Sequence, residues 1–474
     1  RVSVPALLQV IKWPAGNLRL LKCKYDNEPP IRGTEVKQST GNVNLSVDAD
    51  EVFLPLVTTF VENAARCFGL GRDESLRLTL AAEEVFVHLC RVVMPSGGPL
   101  EIRCSNGGYY AKADFSLPTD AFDMRAFNLT ATISAQDDAD LDAMGLVIAS
   151  RSVDRFSLNR EKGRDLRLTL IKEKAYPLPH EIQPATARPL AKWSLRPPNP
   201  EEVKFIAQLS TSYCDTWALS CIFFHPAKLA DMIRAGEYQS LAAVGGAGEI
   251  AGAVFWHSVG ENMVECFGPY VFNQGPESNI PEELLEGCIG AVAKTRALGI
   301  INTRPTPEFP RSHFELLGTF DAYAQDGACV PVEAWFRLLH EDMGAAVWVH
   351  PGIEEFLRRE YARLVLPREI RIEQPSGDTL SRHSVLSAEF DRIQGRVTLQ
   401  PMWPGADAEE NIRRHVKLMQ GEKILNIQFA IDLGEAWQTV FVPGLLKSGF
   451  EPCFVLPYAG KGDVVSFQLR GKNT

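Results

Sequence analysis

The sequence lacks the features of a membrane-spanning or nucleic-acid-binding protein. Its apolar runs, such as Ile289–Val292, are far shorter than the roughly 18–20 residues that a membrane-spanning helix needs. It has no long run of Lys and Arg, and 59 acidic against 49 basic residues give a net charge of −10. This acidic balance argues against an anionic partner. We therefore expect neither nucleic acid nor a membrane as partner.

Paired cysteine motifs are also missing. The ten cysteines are scattered without a Cys-x-x-Cys pair, and the nine histidines do not cluster with them as zinc ligands would. Several lie in apolar segments, as Cys90 does in Phe86–Val93, which favours buried thiols in a reducing compartment. The first residues do not form a charged-then-apolar signal segment. The sequence thus predicts a cytoplasmic protein without a metal site.

What is present is a globular composition, with 45% hydrophobic and 23% charged residues among 474. At roughly 100–200 residues per domain, this length suggests about three domains. Seven prolines between Lys174 and Pro200 predict an extended linker, because proline fixes φ and lacks an amide donor. The predicted division is an N-terminal arm (1–41), a first domain (42–174), a Pro-rich linker (175–194) and two further domains (195–327 and 328–474).

The first domain has the pattern of helices packed on an antiparallel sheet. Apolar residues recur at helical spacing in Glu51–Phe68 and Glu74–Val93. Two strands follow around Asn106-Gly107-Gly108, a hairpin signal, and a third helix is predicted over Asp140–Val153. The fold class predicted here is α+β, as a two-layer sandwich.

In the sequence after the first domain, the same order of predicted helices and strands occurs twice. Two helices, three strands, a long helix over Pro281–Leu298 and a strand at Ile300–Asn302 follow the linker. A weaker version begins at Gly352 and contains a helix at Ala406–Met419 between two strands. The sequence therefore predicts two copies of one mixed-sheet α/β unit.

Leu78–Val93, which reads LTLAAEEVFVHLCRVV, resembles the N-box helix of the GHKL (histidine-kinase-like) ATPase superfamily, closest to the anti-sigma-factor serine kinases. In that family the helix carries Glu-x-x-x-Asn, whose Glu activates the attacking group and whose Asn holds Mg²⁺ on ATP. The resemblance places Glu84 at the Glu position and His88 at the Asn position. From the residues alone, a pair such as Glu83-Glu84 early in an amphipathic helix is most often a solvated helix face.

Two further GHKL motifs have weaker counterparts. Phe122-Asp123-Met124 resembles the pattern that follows the adenine-reading motif, and Asp142–Leu146 resembles the glycine-rich lid with Gly145 retained. The resemblance implies ATP with Mg²⁺ as ligand and Asp123 and Gly145 as binding residues. Because most phosphate-contacting glycines are replaced, we expect hydrolysis and phosphotransfer to be lost. Retained nucleotide binding stays open.

The rest of the chain resembles a pair of GNAT acetyltransferase units fused behind such a domain. Leu195-Arg196-Pro197 and the helix beginning at Pro200 resemble the first GNAT strand and helix. Gly245–Gly252 fits the hairpin that forms the floor of the site, and Leu445–Phe450 matches the final Gly-Phe ending. Together with the GHKL resemblance, this implies an N-terminal GHKL-type α/β sandwich followed by two GNAT-like mixed-sheet α/β units.

The GNAT resemblance implies an acetyl-CoA site at the end of the strand Met263–Phe272. In the family, this strand leads into a glycine-rich loop that holds the pyrophosphate, which places Phe272, Gln274 and Gly275 at the cofactor. Glu277 and Asn279 replace the two glycines of the loop. An acidic residue at that position disfavours a diphosphate.

Candidate catalytic residues lie on the same strand. Glu265 is the candidate base, because acyl transfer needs a deprotonated amine. Tyr270 could protonate the departing thiolate, but its odd offset from Glu265 puts it on the same face only if the strand bulges. The alternative for Glu265 is a rim carboxylate without a catalytic role.

Two functions follow from the sequence. The first is a cytoplasmic bacterial regulatory protein whose GNAT-fold module transfers an acetyl group from acetyl-CoA to an amine. The second is a non-catalytic signalling scaffold or sensor in which both ligand sites are lost and the domains bind a protein partner. Measured binding of ATP and acetyl-CoA would distinguish them.

Overall fold

The structure, a computed structural model, describes residues 41–93, 99–117, 124–131, 138–160, 166–176, 186–275, 277–324, 328–372 and 380–470. These ranges form three units, each built around its own sheet: an N-terminal domain (42–173), a central unit (194–338) and a C-terminal unit (345–469). Within them, every helix is too short or too polar to cross a lipid bilayer.

The N-terminal domain is an antiparallel sheet with helices against it. Its elements are β1 (Asn42–Asp48), α1 (Leu54–Cys67), α2 (Arg72–Val93), β2 (Pro99–Asn106), β3 (Tyr110–Leu117), α3 (Asp138–Ser152), β4 (Arg155–Arg160) and β5 (Leu166–Glu173). The strand order is β1-β2-β3-β5-β4. Leu100, Ile102 and Cys104 alternate with exposed residues along β2 and enter one core with the helices. The α+β prediction for this part is confirmed.

The central unit contains a seven-stranded mixed sheet. Its elements are β6 (Ser194–Arg196), α4 (Pro200–Tyr213), α5 (Pro226–Arg234), β7 (Tyr238–Val244), β8 (Ile250–Val259), β9 (Met263–Val271), α6 (Ile280–Val292), β10 (Gly299–Asn302), β11 (Glu315–Tyr323) and β12 (Cys329–Leu338). The order is β6-β7-β8-β9-β10-β12-β11. Its parallel pair is β9 and β10, joined through α6.

The hairpin of β11 and β12 extends the central unit further than the sequence indicates. Both strands are absent from the sequence-based description, and β12 inserts between β10 and β11. The central sheet therefore continues through Leu338. The predicted boundary at residues 327 and 328 falls between the two strands of this hairpin.

The C-terminal unit repeats the central order in shorter form. Its elements are β13 (Ala345–Val349), α7 (Pro351–Arg363), β14 (Arg368–Ile372), β15 (Val385–Asp391), β16 (Arg396–Trp403), α8 (Ala408–Gly421), β17 (Asn426–Asp432), α9 (Val442–Lys447), β18 (Phe450–Leu456) and β19 (Val464–Leu469). The sheet order β15-β16-β17-β19-β18 matches β8-β9-β10-β12-β11, with β16 and β17 parallel. The repeat predicted from the sequence is present in β8–β10 and β15–β17, and the hairpin of β18 and β19 repeats the hairpin of β11 and β12, which was not predicted. Strands β13 and β14 form a separate parallel pair.

The three units pack directly on one another. Phe320 of β11 shares a core with Phe454 of β18, and their ring centroids are 6.4 Å apart. Between the N-terminal domain and the C-terminal unit, buried Asn128 donates to Ser384 O at 2.7 Å and accepts from Leu386 N at 3.0 Å. Side chains of one unit therefore complete the core and hydrogen bonds of another.

Candidate functional site

The candidate site of the central unit lies where β9 and β10 diverge. The two strands pair from Met263–Glu265 with Gly299–Ile301, and β9 continues six residues further to Val271. Along this extension the register of β9 against β8 shifts between Ala253 and Phe255, which marks a bulge. Diverging parallel strands present backbone groups on which a ligand could hydrogen-bond, as the GNAT resemblance predicts.

Side chains of this protein fill the space where β9 and β10 separate. Asn302 Nδ2 donates to Gly268 O at 3.0 Å, and Thr306 Oγ1 donates to Pro269 O at 2.9 Å. Both side chains are buried. The β9 carbonyl groups that a ligand amide would use are therefore already hydrogen-bonded within the protein.

Glu265 lies in this region as a partly buried, paired carboxylate. Thr303 Oγ1 donates to its Oε1 at 2.5 Å, and His257 Nε2 lies 3.4 Å from its Oε2. Burial alone would raise its pKa, but His257, the charge of Arg304 and the Thr303 hydroxyl together hold the pKa of Glu265 at about 2. A carboxylate with so low a pKa is a weak proton acceptor near neutral pH.

Tyr270 meets the geometric condition set from the sequence. The bulge puts Tyr270 in the same core cluster as Phe267, whereas Cys266 lies in the cluster on the other face. Its hydroxyl donates to Ala218 O at 3.0 Å, and burial raises its pKa well above the ordinary value. The proton that a catalytic acid would deliver is engaged in a buried hydrogen bond.

The predicted cofactor loop after β9 is bound by the linker. We call residues Ala187–Leu190, which belong to the predicted Pro-rich linker 175–194, the strap. The carboxamide of Gln274 accepts from Leu190 N at 3.0 Å and donates to Arg188 O at 3.1 Å. Asn273 Nδ2 donates to Ala187 O at 2.8 Å. Phe272 is fully buried and Gly275 is exposed.

Charge at the start of α6 is unsuited to a diphosphate. Glu277 is exposed in the loop, and Glu282 and Glu283 stand in the first helical turn. Ser278 Oγ accepts from Ile280 N at 3.3 Å, and Glu283 Oε2 accepts from Trp193 Nε1 at 2.8 Å. Acidic side chains stabilise a helix N-terminus by themselves but repel a second anion there. The residues present therefore do not fit the pyrophosphate of acetyl-CoA.

The equivalent loop of the C-terminal unit is closed in a similar way. A Cβ added at Gly405 would lie 2.2 Å from Ser384 N, so the chain at Ser384 crosses this glycine closely. Asp407 Oδ1 accepts from Ser384 N at 2.6 Å, and Asp407 Oδ2 accepts from Arg414 at 3.0 Å. Burial would raise the pKa of Asp407, but the Ser384 donors and His383 lower it. A fixed negative charge thus occupies this position.

Beyond the divergence, charged side chains of two units meet. Arg304 NH2 and Arg396 NH2 each lie 3.7 Å from Asp391 Oδ2. Burial, and to a lesser extent repulsion from Arg304, lowers the pKa of Arg396 to about 10. This cluster joins the central unit to the hairpin that β15 and β16 form.

In the N-terminal domain, Glu84 and Gly145 are brought together. A Cβ added at Gly145 would lie 2.4 Å from Glu84 Oε2. Burial, and to a lesser extent the charge of Glu83, raises the pKa of Glu84. Gly145 lies inside α3, which begins at Asp138, so its amide belongs to the helix interior and is not a free N-terminal donor. His88 is buried, and Asp123 lies outside the described residues.

No group of three or more His, Cys, Asp or Glu residues is arranged to hold a metal in the part of the chain that the structure describes. Sequence reasoning overlooked Asn302, Thr306 and the strap. The polar run Asn302-Thr303-Arg304 directly after the buried strand β10 was an available signal for the first two. The sequence contained no comparable signal for the strap.

No protein-family model and no curated protein matches the sequence. Among solved structures, a GNAT superfamily phosphinothricin acetyltransferase from Sinorhizobium meliloti, in complex with acetyl-CoA, is 20% identical and covers 32% of this chain and 90% of its own (TM-score 0.26). An N-acetyltransferase from Staphylococcus aureus Mu50 is 13% identical and covers 32% of this chain and 100% of its own (TM-score 0.27). Aminoglycoside 6′-acetyltransferase type Ii is 15% identical and covers 31% of this chain and 98% of its own (TM-score 0.25). These three structures, each similar to about a third of this chain, are acetyltransferases.

Proposed function

We propose that the central and C-terminal units form a tandem GNAT-fold module that serves as a non-catalytic binding scaffold. The fold part of the proposal is supported by the shared strand order, with one parallel pair that is crossed by a helix and diverges at the candidate site. The non-catalytic part is supported chiefly by one observation: the carboxamide of Gln274 is hydrogen-bonded to the strap.

Two further features point the same way. In the central unit the loop that would hold a diphosphate is flanked by Glu277, Glu282 and Glu283. In the C-terminal unit Asp407 is held as an anion by donors of its own chain. The first feature repels a diphosphate and the second replaces a ligand contact by an internal one, and a scaffold tolerates both.

The partner class that we propose is a protein, bound in a regulatory setting. The net charge of −10 would favour partners with basic surfaces and oppose acidic ones. For the N-terminal domain, the GHKL resemblance remains a prediction. We propose that this domain does not transfer phosphate, because Gly145 offers no helix N-terminus.

A second candidate is acetyl transfer to an amine. It is favoured by the divergence of β9 from β10 and by the bulge that puts Glu265 and Tyr270 on one face. The related Sinorhizobium meliloti structure contains acetyl-CoA. On this candidate the strap would have to leave the loop before coenzyme could bind.

Calorimetric titration of the full chain with acetyl-CoA tests the choice. The scaffold proposal expects no saturable heat at millimolar acetyl-CoA, for the wild type and for a Gln274→Ala variant whose strap contact is weakened. Gln208→Ala, at an exposed position on α4, is the matched control.

Saturable binding with acetyl transfer to a lysine peptide would refute the scaffold proposal. Binding by Gln274→Ala alone, with the wild type and Gln208→Ala silent, would refute it as well. That result would identify the strap as an inhibitory element of an acetyltransferase.

A further inference from the structure

The loop after β9 holds the strap by its backbone. Gln274 accepts from Leu190 N at 3.0 Å and donates to Arg188 O at 3.1 Å. Asn273 donates to Ala187 O at 2.8 Å. Because only backbone groups of the strap take part in these bonds, a peptide of different sequence could form the same bonds.

Two side chains of the strap contact the central unit. Ala187 is buried, and its amide donates to the hydroxyl of Tyr213 at 3.2 Å. Leu190 packs on Gly245, where an added Cβ would lie 3.1 Å from the Leu190 side chain. Arg188 and Pro189, which lie between them, are exposed. This surface therefore selects a small residue and, three positions later, an aliphatic residue.

The strap is attached to the central unit without being part of its sheet. It lies outside every helix and strand of the described ranges. Its four hydrogen bonds to Tyr213, Asn273 and Gln274 all end on side chains of the central unit. Hydrogen bonds between neutral groups each contribute modestly to stability. A competing segment could thus replace the strap while the sheet stays intact.

The surface beside the strap is acidic. Glu277, Glu282 and Glu286 are exposed at the start of α6, and none of them has an ion-pair partner among the residues that the structure describes. Glu283, in the same turn, accepts from Trp193 Nε1 at 2.8 Å, just beyond the strap. A segment with basic residues opposite the unpaired carboxylates would gain contacts that the strap does not make.

We propose that this surface is the partner site of the scaffold and binds a basic peptide segment of another protein, whose place the strap takes in the free protein. The peptide would carry a small residue and an aliphatic residue three positions apart, as Ala187 and Leu190 are. This inference rests on the proposed scaffold function and names the partner. Because the strap belongs to the same chain, it competes at a high effective concentration, which the additional contacts of the partner have to overcome.

A labelled peptide tests the proposal on the full-length protein. Its sequence, TARPLAKW, is that of residues 186–193. Leu190→Asp should release the strap, because it puts a charge into the apolar contact with Gly245. We expect fluorescence anisotropy to show saturable binding to this variant, and binding weaker by about tenfold or more to the wild type, whose strap competes. A peptide TAEPLAEW, with acidic residues in place of both basic ones, should also bind the variant about tenfold more weakly.

A second substitution in the Leu190→Asp background locates the peptide. Gln274→Ala removes the contact with two backbone groups and should weaken binding about tenfold. Gln208→Ala, at an exposed position on α4, is the matched control and should leave binding unchanged. Absence of saturable binding to Leu190→Asp, equal binding by the two double variants, or equal binding of both peptides would overturn the proposal.

Hydrogen exchange of the wild type decides the matter if Leu190→Asp does not fold. In the free protein the Leu190 amide is bonded to Gln274. TARPLAKW at millimolar concentration should therefore increase deuterium uptake in residues 186–193 of the protein, as the peptide takes the place of the strap. Unchanged uptake would overturn the proposal.

Failure of this inference is distinguishable from failure of the scaffold proposal. A protein that binds neither acetyl-CoA nor TARPLAKW would overturn the peptide site alone. A protein that binds acetyl-CoA and transfers its acetyl group would refute the scaffold, and the partner site with it.

Discussion

The charge of Glu265 should contribute measurably to stability, and Glu265→Gln removes it. The ordinary pKa of 4.5 and the folded value of about 2 differ by 2.5, which corresponds to about 3 kcal/mol. Because the folded pKa is lower than the unfolded one, this contribution is fully present above pH 4.5 and is lost as the pH falls toward 2. At pH 7 the free energy of unfolding of the variant should therefore be about 3 kcal/mol lower than that of the wild type.

Urea unfolding of wild type and variant at a series of pH values measures this difference. The gap between the two proteins should be largest at neutral pH and shrink once the pH is below 4.5. Glu261→Gln, at an exposed turn position just before β9, is the control and should change stability little.

A gap that is the same at every pH would contradict this reasoning, because it would reflect lost packing and not lost charge. A variant as stable as the wild type at pH 7 would contradict it directly. Either result would show that His257, Thr303 and Arg304 do not hold Glu265 as an anion.

Asn128→Ala should lower the free energy of unfolding by about 2–3 kcal/mol, because it leaves the buried amide of Leu386 without its acceptor. Urea unfolding measures this loss, and Asn44→Ala, at an exposed position, is the control. Burial lowers the pKa of His415 from 6.5 to about 4, so the wild type should lose about 3 kcal/mol more than His415→Leu as the pH falls through that interval. Parallel losses in urea unfolding would contradict a buried neutral imidazole. Gly145→Ala should change stability by no more than about 1 kcal/mol, because the gain in helix propensity offsets the displacement of the Glu84 carboxylate. Its affinity for Mg-ATP in calorimetry should equal that of the wild type, and a loss of affinity confined to the variant would show that Gly145 contacts phosphate.

Local sequence patterns predicted those helices and strands whose apolar residues all face a single neighbouring layer of the fold. The long helix α2 and the hairpin of β2 and β3 follow their apolar spacing and their Asn-Gly turn closely. In the hairpin of β11 and β12, the alternation of β11 is interrupted by a register shift between Leu316 and Gly318. The alternation of β12 is regular and was overlooked.

The sequence predicted candidate residues for a site but not the partners that these residues have in the fold. Glu265 and Gln274 were identified by position along β9 and its loop. Their chemistry depends on partners far away in the chain, such as Leu190 for Gln274, and Gln394 meets the Thr216–Leu219 loop across an even longer separation. Contacts of this kind leave no periodic trace in the sequence.

The hairpin of β11 and β12 has a consequence for dividing the protein into fragments. A fragment ending ahead of Cys329 would keep β11 without β12, through which it joins the sheet. One ending at Leu338 would expose Leu317 and Phe320, which are covered by the C-terminal unit in the intact chain. Such an uncovered apolar face invites self-association. Biochemical dissection should therefore keep residues 186–470 on one polypeptide.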